Sequence, residues 1–442
     1  MEKETVLNVG FDDTDSPKGM CTTFLAYKIV DSLQKQNIEF LDFPRLIRFN
    51  PNIPWKTRGN GAVSFKIKTK NPSKIKDQIK KFVSKYSDIK NGANPGLVFF
   101  ESDTIPIQFT KFSKLALWQL INRNNAKTFA KKNNLEIHYQ GNGQGLVGAI
   151  GAIGYDFDDH TLELLSYRKK SQFGKERKIS TESVKNMQEK TSPNTFNSFD
   201  TKKGRVLITP HGPDPVFYGV RGENVDSLVY ATKILKTTEK LDGYMIFKSN
   251  QGTGDHLKNE LNFENMKPFA SGKLSGVVSN IPKIVKGGHV FFKIISKNHE
   301  FWCAVYKPTG MTIVASNLLK GDEISVGGGV RKASKNFPRI INLEFIDIIS
   351  LVKNTTLTNP ECTKCHKKMK SKGANQGFQC IRCGKKALKK ISTEISRNIK
   401  KQLYLPNISA HRHLSRPLQR IGTVNKSSKF DKSISWFCVY GK

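Results

Sequence analysis

The segment GFDDTDSPKGMCTTFLA, Gly10 to Ala26, places three carboxylates, Asp12, Asp13 and Asp15, within four positions and follows them with Gly19, Thr22 and Thr23. Carboxylates this close repel one another unless a cation or water screens them. Two chemistries fit. One is a solvated acidic turn leading into a helix, because Asp, Ser and Thr favour helix caps. The other is a Mg2+ site shared by strand-end carboxylates and nucleotide phosphates, with backbone N–H groups of the glycine-threonine stretch, Gly19 among them, facing phosphate. A calcium-binding loop is excluded: counted from Asp13, the fifth position is Pro17, the required glycine is Lys18 and the closing glutamate is Phe24. No GxxxxGK[ST] run occurs, so this is not a P-loop. WKTRGNGA adds Lys56 and Arg58 beside a Gly-Asn-Gly loop as further phosphate donors. In GNGQGLVG, helix packing explains the glycines as well as phosphate binding does.

A second constellation lies near the other end. Cys362-x2-Cys365 is followed after fourteen residues by Cys380-x2-Cys383. Four thiolates at this spacing take Zn2+ tetrahedrally, in a structural site with no open position. His366 is surplus to that set. Between Lys364 and Lys401 stand thirteen Lys or Arg residues against one acid, Glu394. Lys385, Lys386, Lys389 and Lys390 follow the second cysteine pair, and the tail HRHLSRPLQR adds Arg412, Arg416 and Arg420, with Trp436, Phe437 and Tyr440 beyond. Basic residues interleaved with aromatics suit single-stranded or loop RNA.

The whole chain fits that partner. Its 442 residues carry 73 Lys plus Arg against 37 Asp plus Glu, a net charge of +36, so a polyanion is expected. No apolar run is long enough to span a membrane, and MEKETV is charged where a signal peptide is apolar, which favours a cytoplasmic protein bound to nucleic acid. Seven cysteines with only four clustered match a reducing compartment and one metal site.

The elements that must position these residues follow from periodicity. VLNVGF reads as a strand and TTFLAYKIVDSLQKQ as an amphipathic helix. DFPRLIRFNPNIPWKTRGNGAVSFKIK reads as strand, loop, strand, and NPSKIKDQIKKFVSKYSD as a basic helix. Residues 112–135 read as helical, LELLSYRKK as a strand, and 169–203 as a polar loop or insertion. A β-β-α-β order follows, with its helix near 224–238. From about 270, short β-rich runs punctuated by Gly, Pro and Asn suit a small closed barrel of OB type.

GFDDTDSPKGMCTTFLA, RFNPNIPWKTRGNGAV and TPHGPDPVFYGVRGE together resemble the archaeal tRNA(Ile) 2-agmatinylcytidine synthetase family, and the resemblance covers nearly the whole chain. It implies a multidomain α+β protein: a kinase-like domain over 1–125, a ferredoxin-like domain over 126–265 with its insertion near 169–203, an OB-fold barrel over 270–352, a zinc ribbon over 358–388 and a basic tRNA-binding segment over 389–442. It implies an ATP-dependent ligase that joins agmatine to the wobble cytidine of tRNA(Ile) with anticodon CAU through a phosphorylated cytidine, so that AUA is decoded. Asp12, Asp13 and Asp15 then serve phosphoryl transfer and Mg2+, and Thr22 matches a threonine that becomes phosphorylated, although an ordinary helix-cap threonine reads the same. Agmatine's guanidinium wants a carboxylate, for which Asp214 and Glu223 are candidates; a structural Asp in a Pro-flanked turn is the competing reading of Asp214. SNQGTGDHL receives no role. Two rivals remain: another ATP-dependent RNA-modifying enzyme, and a non-catalytic OB and zinc-ribbon RNA-binding protein.

Overall fold

Alternation in TVLNVGFD sends Leu7, Val9 and Phe11 into one apolar core and leaves Asn8, Gly10 and Asp12 on the opposite face. The computed structural model describes residues 4–335, 338–426, 430 and 435–441. The chain divides into two compact units, one of Met1–Lys273, Gly327–Glu344 and Pro406–Lys442, the other of Leu274–Val326 and Phe345–Leu405.

The first unit begins β1 (Thr5–Asp12), α1 (Thr22–Gln34), β2 (Glu39–Phe40), β3 (Arg45–Arg48), β4 (Gly61–Thr69), α2 (Pro72–Tyr86), β5 (Gly96–Glu101), α3 (Ile107–Trp118), α4 (Arg123–Lys132) and β6 (Glu136–Tyr139). It continues α5 (Leu146–Gly154), β7 (Thr161–Arg168), α6 (Thr181–Thr191), β8 (Thr195–Phe196), β9 (Phe199–Asp200), β10 (Arg205–Val206), β11 (Val216–Gly222), α7 (Val225–Ile234) and β12 (Leu241–Ser249). One eleven-stranded sheet runs through it in the order β6-β5-β1-β4-β3-β12-β7-β11-β8, with β2 on β4 and Phe437–Val439 on β12. The β3–β12 pair is parallel and joins the strands of the expected kinase-like portion to those of the ferredoxin-like portion.

Helix α1 buries Phe24, Leu25, Tyr27, Ile29, Val30 and Leu33. Truncating one such leucine costs about 2–5 kcal/mol. Helix α2 buries only Ile75, Ile79 and Val83, spaced one turn apart, and exposes its lysines, as the basic-helix reading expected. Residues 112–135 form two helices rather than one, and the Asn122 side chain accepts the Asn125 N–H to start the second. The expected loop over 169–203 is corrected by α6. Ser180 caps that helix, and Val184, Met187 and Thr191 form a narrow buried stripe that the surrounding polar residues obscured.

In the second unit, β13 (Ser271–Val278), β14 (Lys283–Val285), β15 (His289–Ser296), β16 (His299–Val305), β17 (Glu323–Arg331) and β18 (Ile340–Ser350) run in the order β13-β17-β18-β16-β15-β14. A further β13–β15 pairing closes five of them into an OB-like barrel. The ribbon that follows has a core of Cys362, Met369, Phe378 and Cys380 and a three-stranded sheet of Lys370–Ser371, Phe378–Gln379 and Lys386–Ala387. Among the described residues, no helix is long and apolar enough to cross a membrane.

A carboxylate cleft and a four-cysteine centre

Asp12 ends β1 on the face away from the Leu7–Phe11 core, where α5 packs against the strand. The close approach explains Gly148: a Cβ there would fall well inside contact distance of Asp12 Oδ2. Asp13 takes a left-handed φ of 55°, which turns the chain out of the sheet. Its N–H donates to Asp12 Oδ1 at 2.7 Å. Asp12 and Asp13 line a cleft with Phe49, Trp55, Lys56 and Thr57. Trp55 is 53% exposed and offers a flat face to a base.

Withdrawal from water, then the neighbouring Asp13 carboxylate, pushes the Asp12 carboxyl well above its ordinary value. The same burial, with Asp15 second, raises Asp13 to about 7. Two crowded oxygen donors whose protonation rises without a cation fit a hard divalent ion such as Mg2+. Lys56, half-buried in the same cleft, is held below its usual pKa by burial and then by the Arg412 charge.

Asp15 faces elsewhere. It accepts from Thr57 Oγ1 at 2.9 Å and pairs with Arg58 Nη1 at 3.0 Å. Arg58 also donates to the carbonyls of Met20 at 2.9 Å, Ser16 at 3.1 Å and Gly19 at 3.4 Å, so it ties the aspartate loop to the loop before β4. Its φ of 41° is uncommon for a residue with a side chain. The three aspartates therefore split, two into the cleft and one into the Arg58 clamp, and Lys56 and Arg58 split likewise. Among the described residues, only the four cysteines gather three or more ligating His, Cys, Asp or Glu side chains.

Gly19 closes a turn with Ser16 through paired backbone hydrogen bonds of 3.0 and 3.2 Å. Thr22 opens α1, is 4% exposed, and its hydroxyl accepts from Thr14 Oγ1 at 3.0 Å. Asp214 lies 3.9 Å from Arg58 Nε and 3.4 Å from Arg177 Nη2, which brings it to the clamp. Its Oδ2 is buried without a hydrogen-bond partner. Glu223 is not brought there, because both its oxygens face Arg420, at 2.5 and 3.3 Å.

The tail arginines differ from their expected role. Arg420 is 1% exposed and also grips Asp159 at 2.8 Å, so it cannot reach an RNA phosphate. Arg416 pairs with Asp159 at 2.6 Å and Arg412 with Glu344 at 3.1 Å. Trp436 is a core residue against Phe40 and Phe43, and Phe437 packs on Tyr27. Lys385, Lys386, Lys389 and Lys390 are exposed as expected.

Sequence reasoning missed His413 and the polar groups of SNQGTGDHL. His413 lies under Gly59, where a Cβ would sit 2.6 Å from the ring. Its Nδ1 lies 2.9 Å from Gln251 Oε1 and 2.8 Å from Arg221 Nη2, and Gln251 and both Arg48 and Arg221 reach Glu163. His256 is buried against Glu344 at 2.9 Å. The signal was a run of polar residues with two glycines, Gly252 and Gly254, both of positive φ, which reads equally as an exposed turn.

In the ribbon, the Sγ atoms of Cys362, Cys365, Cys380 and Cys383 all lie within 4.8 Å of one another. The Lys364 backbone N–H is the largest influence holding the Cys362 thiol down to about 6. Four mutually close sulfurs with N–H donors to the thiolates fit tetrahedral Zn2+.

Three family models match the chain: the TiaS TCKD domain over residues 8–142, the TiaS FLD domain over 143–256 and the TiaS C-terminal zinc ribbon domain over 359–399. The tRNA(Ile) 2-agmatinylcytidine synthetase TiaS of Cenarchaeum symbiosum (strain A) is 46% identical over 436 residues, covering 99% of this chain and 97% of the relative. The crystal structure of TiaS with its isoleucine tRNA and ATP matches with a TM-score of 0.84 at 35% identity, over 94% of this chain and 97% of that one. The crystal structure of TiaS with the same tRNA, AMPCPP and agmatine matches with a TM-score of 0.82 at 33% identity, over 96% and 99%. Likeness of this extent over full-length relatives places the chain in the tRNA(Ile) 2-agmatinylcytidine synthetase family.

Proposed function

We propose that this chain uses ATP to join agmatine to C2 of the wobble cytidine of tRNA(Ile) with anticodon CAU, giving 2-agmatinylcytidine. The observation that carries the reading is the Asp12–Asp13 cleft with Lys56 and Trp55, in a chain whose relatives are crystallised with tRNA, ATP and agmatine. The C2 oxygen of cytosine leaves poorly, so it first takes the γ-phosphoryl group of ATP; the agmatine amine then displaces phosphate at C2, and AUA decoding follows.

In-line phosphoryl transfer needs positioning and charge stabilisation more than a strong nucleophile. Asp12 and Asp13 are the side chains that would hold Mg2+, which, when bound, neutralises charge on the phosphates. Lys56 supplies positive charge from the cleft wall. Arg58 orders the loop bearing Gly19, whose N–H groups serve ATP, and its charge opposes the protonation of Asp15 that burial favours. Asp214, with its unpartnered oxygen, is the agmatine candidate beside the clamp; Glu223 would have to exchange Arg420 for the substrate guanidinium. Thr22 takes a phosphate once its contact with Thr14 opens, which peptide mass spectrometry checks: the mark belongs on Thr22 and vanishes in Thr22→Ala, whereas a mark on Thr23 alone counts against it. Zn2+ holds the ribbon, whose Lys385, Lys386, Lys389 and Lys390 meet tRNA phosphates. Reduced thiolates suit the cytoplasm.

Mass spectrometry of nucleosides from CAU-anticodon tRNA, after incubation with protein, ATP and agmatine, tests the proposal. Agmatinylcytidine that requires both small molecules supports it. ATP turnover with another nucleophile attached would favour a different RNA modifier.

A further inference from the structure

Between β7 and α6 the chain forms a groove of about 530 Å3 that the proposed chemistry does not use. Lys169, Lys175, Lys178 and Lys240 line it, with Ser171 and Thr238. Its acids are already engaged. Glu239 is held in a fork by Arg168, with Nε at 2.8 Å and Nη2 at 2.6 Å, and Glu176 lies 4.0 Å from Lys178. Among the described residues, no carboxylate pairs with Lys169, Lys175 or Lys240.

The floor of the groove is fixed. Arg168 is fully buried and also donates to the carbonyls of Lys175 at 2.7 Å and Glu176 at 3.2 Å. Arg177, two residues past Lys175, donates to the carbonyls of Pro210, Gly212, Asp214 and Val216 at 2.6–3.0 Å. The lysine loop and the Asp214 turn are therefore one clasp. Fixed, uncompensated lysines in a concave wall fit a polyanion whose charges are spaced along a strand. A lipid surface fits less well. Phe173 and Ile179, the large apolar residues of this segment, pack into the core, which leaves no apolar group to insert, and charge alone anchors weakly.

We propose that the groove of Lys169, Lys175, Lys178 and Lys240 binds the phosphodiester backbone of the RNA substrate, and that Arg177 sets the position of that strand relative to Asp214. The assignment rests on the tRNA-modifying function proposed above. The groove belongs to the first unit, whereas the lysines of the zinc ribbon belong to the second.

The test compares the full-length chain with its K169A/K175A/K178A/K240A variant. Equilibrium binding to unmodified CAU-anticodon tRNA is measured across a salt series, together with product kinetics. Each phosphate contact contributes about 0.7–0.9 to the log–log salt slope, so the variant should lose about three units of slope. KM for tRNA should rise at least tenfold, with KM for ATP and agmatine and the melting temperature unchanged. Arg177→Lys should keep the tRNA slope yet lower kcat, because an ammonium cannot span four carbonyls. An unchanged slope and tRNA KM in the quadruple variant would overturn the proposal, as would loss only of binding to phosphatidylserine vesicles. If the wild-type chain binds tRNA steeply but never forms agmatinylcytidine, the functional reading fails, and the slope comparison still judges the groove.

Discussion

The carboxylate cleft and the cysteine ribbon show two ways of building a centre. The ribbon takes its four ligands from 22 consecutive positions, Cys362 to Cys383, and needs little besides the turns between them. The cleft joins residues from β1, the loop before β4 and α5, over more than a hundred positions, and depends on a glycine for clearance. A local centre fails when a ligand is lost. An assembled one fails also when its packing shifts, and the predictions follow from that contrast.

The largest effects belong to the cleft. Asp12→Ala and Asp13→Ala should each lower product formation at least about a hundredfold, since each removes charge aimed at the transferring phosphoryl group. Gly148→Ala should lower it comparably without touching a reacting group, because its methyl displaces Asp12; steady-state kinetics and zinc content, which should stay normal, check this. No such packing residue exists for the ribbon. There the matching loss needs the ligands themselves: Cys362→Ser with Cys380→Ser should lose the zinc and weaken tRNA binding while sparing ATP binding, read by metal analysis and titration.

Between these lies the tail. Arg420→Met should destabilise the protein by about 3–5 kcal/mol in denaturant unfolding, because it leaves Asp159 and Glu223 facing each other without their cation. Lys389→Ala with Lys390→Ala should leave stability unchanged and reduce the tRNA salt slope by between one and two units.

These arginines show why the sequence was legible in one region and not the other. CxxC spacing carries its own geometry, so Cys362, Cys365, Cys380 and Cys383 could be read directly. Strand-loop-helix periodicity placed Asp12 at a strand end and Thr22 at a helix start, where the structure has them. Charge in a string of letters has no direction. The same letter stands for exposed Lys389 and Lys390 as for any buried ammonium, and only long-range pairing sends Arg420 inward to Asp159. His413 was invisible for the same reason: its neighbours Gly59, Gln251 and Arg221 are far away in sequence. Helix α6 was missed because its buried stripe is only three residues wide.

The smallest effect is one of pH. Burial, then Lys248, holds the His160 imidazole down to about 4, below its unfolded value. Between about pH 6.5 and 4 the unfolded chain binds the extra proton, so stability contributed by neutral His160 is present above that window and lost as pH falls through it. His160→Gln should flatten the slope of melting temperature against pH in this range, and leave it unchanged above pH 7.

Labelled agmatine gives the most direct test of the central claim. Unmodified CAU-anticodon tRNA is incubated with ATP, labelled agmatine and either the native chain or an Asp12→Ala, Asp13→Ala double variant that retains its zinc and its tRNA affinity. The account predicts label at the wobble cytidine with the native chain, dependent on ATP, and none above background with the variant. Equal incorporation by the two proteins, or none by the native chain, would contradict it.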